Sequence, residues 1–217
     1  MSEKVLLIED IPVEGSKPAG GVISVWTLNR PEKLNALNAD SHVALKEACS
    51  RAESDDSVRV VIIRGAAPLP VSEGKRQKPA AFAAGADISE FVGKNSDEVR
   101  PFFENNAWEK VWNMSKPTIA MVDGFALGGG TELALSCDIR IASTRAKFGT
   151  PEINLGLIPG GGGTQRLANI LGYGKAMEMV MTGNMVNAED ALQLGLVNDI
   201  CEPEELEDCV MKMAENI

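Results

Sequence analysis

The sequence predicts an α/β fold with a largely parallel sheet and one sizeable core. Three observations carry this. Val58 to Ile63 is a continuous run of mostly β-branched residues, the pattern of a strand buried on both faces, as in parallel sheets. Two further apolar strands, Thr118 to Val122 and Ile139 to Ala142, flank an apolar helical stretch around Leu133-Ala134-Leu135. Strand, helix and strand in that order fit parallel pairing through a right-handed crossover. A chain of 217 residues, 44% hydrophobic, is long enough to bury one such core with a C-terminal appendage.

In chain order, Val5 to Ile8 and Val22 to Leu28 read as strands joined by a Pro/Gly-rich turn over residues 11–21. Residues 29–35 form a loop, and Asn38 or Asp40 caps the next helix. Val43, Ala44, Ala48 and Ala52 are the apolar positions at helical spacing on that helix. Residues 65–80 are a long Pro-rich connection carrying Lys75, Arg76 and Lys78. Asp87 reads as an N-cap, which leaves the Ala86 N–H free to point into a cleft. Val99 to Met114 reads as one helix stopped by Pro117, with Phe102, Phe103, Trp108, Val111 and Trp112 for packing. Short helices follow at 164–171, 175–181 and 188–194, punctuated by glycines. From Pro203 the chain is helical again, with Leu206, Val210, Met213 and Ile217 as an apolar stripe that is expected to end without a partner.

Composition removes several function classes. A formal net charge of −10 argues against a general nucleic-acid surface. The single histidine, His42, lies in a polar helix start, reads as a surface residue, and makes a histidine-based triad implausible. Cys49, Cys137, Cys201 and Cys209 have no metal-ligand spacing and read as reduced thiols. No apolar run reaches the length of a membrane span, and no signal peptide is expected at the start of the sequence.

The chemistry concentrates between Asp123 and Leu167. Two glycine clusters, 128–130 and 160–163, each lie near a glutamate in an apolar setting, Glu132 and Glu152. An ionised carboxylate there is costly unless it is paired or used. Three glycines before Glu132 suggest a tight loop opening a buried helix, whose first N–H groups suit a developing oxyanion. A general acid/base one turn into the helix would stand beside the same oxygen. The bland alternative is that the glycines only permit close packing. Neither cluster completes a dinucleotide or phosphate-loop pattern, since Leu133 stands where a third glycine would fall and Gly174-Lys175 is followed by Ala176.

Four blocks stand out: FALGGGTELALSCD, FGTPEINLGLIPGGGGTQRL, AFAAGADISEF at 81–91 and NRPEKLNALN at 29–38. They resemble the signature blocks of the enoyl-CoA hydratase (crotonase) family. The resemblance runs from about Val5 to Val210. It implies a spiral of repeated ββα units over residues 1–195, followed at 196–217 by the start of a C-terminal helical, oligomerisation region. It implies that the amides of Ala86 and Gly129 form an oxyanion hole. It implies that Glu132 orients and deprotonates a water while Glu152 supplies the proton to Cα. It places Lys33, Ala36, Ala84, Asp87 and Ile88 along the CoA moiety, and Phe91, Trp108, Pro159 and Gly160 around the acyl group. A phenylalanine at 91 hints at a short acyl chain. The basic tip of the 65–80 loop is a candidate neighbour of the CoA phosphates.

The activity so implied is reversible hydration of a short trans-2-enoyl-CoA. CoA is part of the substrate, so no cofactor and no metal is expected. The expected partners are an acyl-CoA and further copies of the chain, as a trimer or a dimer of trimers, with no nucleic acid or membrane. The expected location is cytoplasmic. Alternatives on the same scaffold are a 3-hydroxyacyl-CoA dehydratase, an isomerase, which commonly keeps only the equivalent of Glu152, and a non-enzymatic RNA-binding homologue. The presence of both glutamates favours hydration.

Overall fold

In a computed structural model, which describes residues 4–13, 21–71, 74, 76–104 and 106–217, the chain coils between two sheets. The larger sheet holds β1 (Leu6–Pro12), β2 (Val22–Leu28), β3 (Val58–Gly65), β5 (Thr118–Val122), β7 (Ile139–Ser143) and β10 (Asp199–Cys201), adjacent in that order. The smaller holds β4 (Ala81–Ala83), β6 (Phe125–Leu127), β8 (Lys147–Gly149) and β9 (Val186–Asn187). Among the described residues only β1 with β2 and β8 with β9 are antiparallel; the remaining strand pairings are parallel. The chain passes from β3 to β4, from β5 to β6 and from β7 to β8, crossing from large sheet to small each time. A helical segment follows each pair. These are α2 (Ser96–Phe103) with α3 (Ala107–Trp112), then α4 (Gly129–Ser136), then α5 (Gly163–Leu171) with α6 (Tyr173–Thr182). Three turns of a ββα spiral result.

Both faces of the larger sheet are covered, which is why β3 is apolar throughout. Val61 and Ile63 face the interior between the sheets, with Trp26, Phe82, Val122 and Leu133. Val60 and Ile62 face the other side, with Ile23, Val25, Ile119 and Ile141. After α7 (Ala188–Gln193) comes α8 (Leu206–Asn216), which closes that second side: its Leu206, Val210 and Ala214 are buried on the sheet, with Met213 and Ile217 packed beside them. The apolar stripe expected to lack a partner therefore has one. Within residues 196–217, β10 pairs with β7 at the edge of that sheet and α8 packs on its face.

Other expectations change in detail. β1 extends to Pro12; most of the expected 11–21 turn lies outside the described residues. Asn38 caps α1 (Ala39–Ser54) by accepting from the Ser41 N–H. On α1 the buried residues include His42, Leu45, Ala48, Cys49 and Ala52, whereas Val43 is exposed. The expected single helix over 99–114 is two. Asn106 ends one and starts the other: its side chain donates to Phe103 O and accepts from the Glu109 N–H, local bonds that compete with a continuous helix. Among the described residues no helix is long and apolar enough to cross a membrane.

Candidate active site

Glu132 and Glu152 both leave one hydrogen-bonded junction between adjacent strands of the small sheet. Gly128, after β6, donates to Gly149 O at the end of β8 (2.8 Å). Thr131 fastens the same point by donating to Ala126 O and Gly149 O (2.6 and 2.9 Å). Gly128 has φ 51° and opens α4, on which every residue is buried. Glu132 stands one turn in, 1% exposed. Glu152 lies in a 3-10 turn, Pro151–Leu155, directly after β8. Both glutamates face one cavity of about 110 Å³, lined also by Ala84, Ala86, Ile88, Gly128 and Gly129.

The glycine clusters serve the glutamates in crossed fashion. Glu132 Oε1 accepts from the N–H groups of Gly161 and Gly163 (2.7 and 2.8 Å), in the second cluster rather than the nearer first. Gly163 is the first residue of α5, so the carboxylate sits at a helix N-terminus, where a negative charge is favoured. A Cβ on Gly161 would lie 2.8 Å from Glu132 Oε2. Glu152 instead lies against the first cluster: a Cβ on Gly128 would lie 2.9 Å from its Oε1. The Glu152 Oε2 atom is buried and has no hydrogen-bond partner among the described residues.

Burial pushes the Glu132 carboxyl up to about 7, against the two backbone hydrogen bonds, and the neighbouring Glu152 pushes the same way. Burial also raises Glu152. Two neighbouring carboxyls whose protonated forms are both favoured by burial can hold and pass a proton. On the cavity's other side, neither the Ala86 nor the Gly129 amide donates to an acceptor among the described residues. The two converge: a Cβ on Gly129 would be 3.3 Å from Ala86 N. Two free N–H groups so placed suit an anionic oxygen.

Aromatic rings form the third wall. Phe91, Phe103 and Trp108 line the cavity, with Phe103 stacked on Trp108 at 6.2 Å and 8°. Trp108 donates from Nε1 to Gly129 O (2.7 Å). Gly160 lines the cavity against Phe103, whereas Pro159 is buried behind it, against Gly163. Leu155, Leu157 and Ile158 also line it. Their apolar character was visible in the sequence, but nothing in their spacing distinguishes lining from core.

The expected CoA residues divide. Ala84 and Ile88 line the cavity. Asp87 caps the 3-10 turn that follows it, and its carboxylate is bound by Ser89 and ion-paired with Arg30 at 2.8 Å. The Ser89 hydrogen bonds, with Arg30 adding to them, lower it to about 2. Lys33 is exposed on a Pro31–Lys33 turn, and Ala36 O accepts from Arg30 (2.6 Å). This segment is zipped to the cavity wall by Leu37 donating to Gly85 O and Ala84 donating to Leu34 O. From the 65–80 loop, Lys78 donates to Glu32 O beside Lys33 (2.6 Å); Lys75 lies outside the described residues. His42, read as a surface residue, is buried between Phe102 and Trp108, because the helix face it occupies turns toward α3. Arg166, which the sequence reading missed, donates to Gly161 O (2.5 Å) and braces the loop that holds Glu132.

The class this arrangement defines is a spiral α/β protein equipped for acid–base chemistry on a carbonyl compound. Comparison with known proteins narrows it. The profile of the enoyl-CoA hydratase/isomerase family matches residues 18–217, and the chain belongs to that family. It is 44% identical to the short-chain-enoyl-CoA hydratase of Clostridium acetobutylicum over 199 residues, 91% of this chain and 72% of that protein. It is 41% identical to the crotonyl-CoA hydratase of Syntrophomonas wolfei, across 90% of this chain and 72% of that protein. An enoyl-CoA hydratase subunit from Geobacillus kaustophilus superposes with a TM-score of 0.83 at 35% identity, covering 98% of this chain and 74% of that one.

Proposed function

We propose that this protein is a short-chain enoyl-CoA hydratase, adding water reversibly across the 2,3 double bond of a trans-2-enoyl-CoA. The observation that carries the reading is the pairing of a buried carboxyl, Glu132, and a half-buried one, Glu152, with two amides that have no acceptor among the described residues, around one small cavity. The thioester oxygen takes the Ala86 and Gly129 N–H groups, which hold the enolate-like charge as water adds; loss of one such donor typically costs about 3 kcal/mol of barrier. Glu132 takes a proton from the water, and Glu152, which lines the same cavity and whose Oε2 has no hydrogen-bond partner among the described residues, delivers one to Cα. Dehydration of a 3-hydroxyacyl-CoA is the same path reversed. Isomerisation needs only one carboxyl to shuttle a proton, so a facing pair favours hydration.

The acyl group fits the space under Phe91, Phe103 and Trp108, whose small volume favours a short chain. The CoA moiety leaves past Ala84 and Ile88 toward the Pro31–Lys33 turn. The test is loss of enoyl absorbance with crotonyl-CoA for wild type, Glu132→Gln and Glu152→Gln. Turnover by wild type and a fall of roughly 10²- to 10⁴-fold in each variant are expected. A wild type inert to crotonyl-CoA and to longer enoyl-CoAs would overturn the assignment.

A further inference from the structure

His42 is a buried titratable group with no part in the chemistry above. We propose that it is a positioning residue for the oxyanion donor Gly129, acting through Trp108; this rests on the hydratase reading. His42 Nδ1 accepts the N–H of Ala107, the first residue of α3, at 3.3 Å. That N–H has no acceptor within its own helix. One residue on, the Trp108 ring lies edge-to-face with His42, centroids 4.5 Å apart. The indole then donates to Gly129 O at 2.7 Å, on the residue whose amide faces the cavity.

His42 therefore fixes the start of α3, α3 sets the indole, and the indole holds the glycine. An error of the order of 1 Å at an oxyanion donor is enough to slow a reaction substantially. The imidazole is suited to this because it is neutral: burial, with Lys46 on the same helix pushing the same way, holds it down at about 4. Nδ1 is then free to accept, and the proton sits on Nε2, which is buried and has no hydrogen-bond partner among the described residues. A surface helix residue would need none of this.

The test compares wild type, His42→Leu, His42→Asn, Trp108→Phe and the His42→Leu/Trp108→Phe double variant. Leucine keeps apolar bulk and removes the acceptor; asparagine restores an oxygen near the Nδ1 position. With crotonyl-CoA, His42→Leu should lower kcat on the order of tenfold with KM little changed, and His42→Asn should recover most of it. The double variant should lose no more than Trp108→Phe alone, because both changes break one chain of contacts. A second readout is the infrared C=O stretch of bound butyryl-CoA, which has no double bond to hydrate. Its lowering on wild type should be partly lost in His42→Leu and regained in His42→Asn. Additive losses in the double variant, or an unchanged kcat and C=O stretch in His42→Leu, would overturn the proposal. A wild type that shifts the C=O stretch but does not hydrate crotonyl-CoA would refute the hydratase reading and leave the positioning role to the infrared series. His42→Ala, which only removes volume, replaces the leucine variant in the cycle if that variant does not fold.

Discussion

Glu132→Gln should make the protein more stable at neutral and higher pH while removing its activity. A carboxyl that titrates at about 7 instead of its ordinary 4.5 is harder to ionise in the fold by about 3 kcal/mol, at about 1.4 kcal/mol per pH unit. The sign follows from linkage. The native state holds this proton more tightly than the unfolded chain, so the benefit is complete below the unfolded carboxyl's range. It is lost as pH rises to about 7. Glutamine keeps an oxygen to accept from Gly161 and Gly163 but does not ionise, so its stability should not fall across that window. It also removes the repulsion with Glu152, which acts in the same direction. Urea unfolding of wild type and variant at about pH 5 and about pH 8 measures this, and the gap should widen in the variant's favour by roughly 2 to 3 kcal/mol at the higher pH. A gap independent of pH would refute the reasoning, because it would mean that Glu132 ionises in the fold as easily as in water.

The crossed glycine clamp makes a second prediction. A methyl group at Gly161 would lie 2.6 Å from Trp108 Cδ2 and 2.8 Å from Glu132 Oε2, so Gly161→Ala should destabilise by about 1 to 3 kcal/mol and lower kcat by on the order of tenfold or more. Calorimetry and the crotonyl-CoA assay read the two, and a wild-type kcat would show that the loop does not position Glu132. Phe91 packs edge-to-face on Phe102, with centroids 4.9 Å apart, and closes the cavity. Phe91→Ala should therefore raise kcat/KM for hexenoyl-CoA relative to crotonyl-CoA by about tenfold, the scale of one or two methylenes in an apolar pocket. An unchanged ratio would place the acyl chain elsewhere.

Much of this molecule was legible in one dimension because its signals are local. A β-branched run such as Val58 to Ile63 can be satisfied only by burial on both faces. Glutamates set among glycines and apolar residues, at 132 and 152, mark positions where a carboxyl is kept for use despite the cost of burying it. Asn38 and Asp87 cap their helical turns through atoms only a few residues away. What the chain does at a distance was not legible. Each glutamate lies near one glycine cluster in sequence, but the fold brings β6 and β8 side by side and sets Glu132 against the second cluster and Glu152 against the first. His42 has polar neighbours in sequence and aromatic ones in space, since its exposure is decided by which face of α1 meets α3. The helix expected over 99–114 breaks at Asn106, whose side chain bonds to both flanking segments, and the break lets Phe103 and Trp108 on either side of it stack on each other. Composition and local pattern determine which residues must be buried and which carboxyls are out of place; only tertiary packing decides what each of them meets, because close contacts depend on the path of the whole backbone.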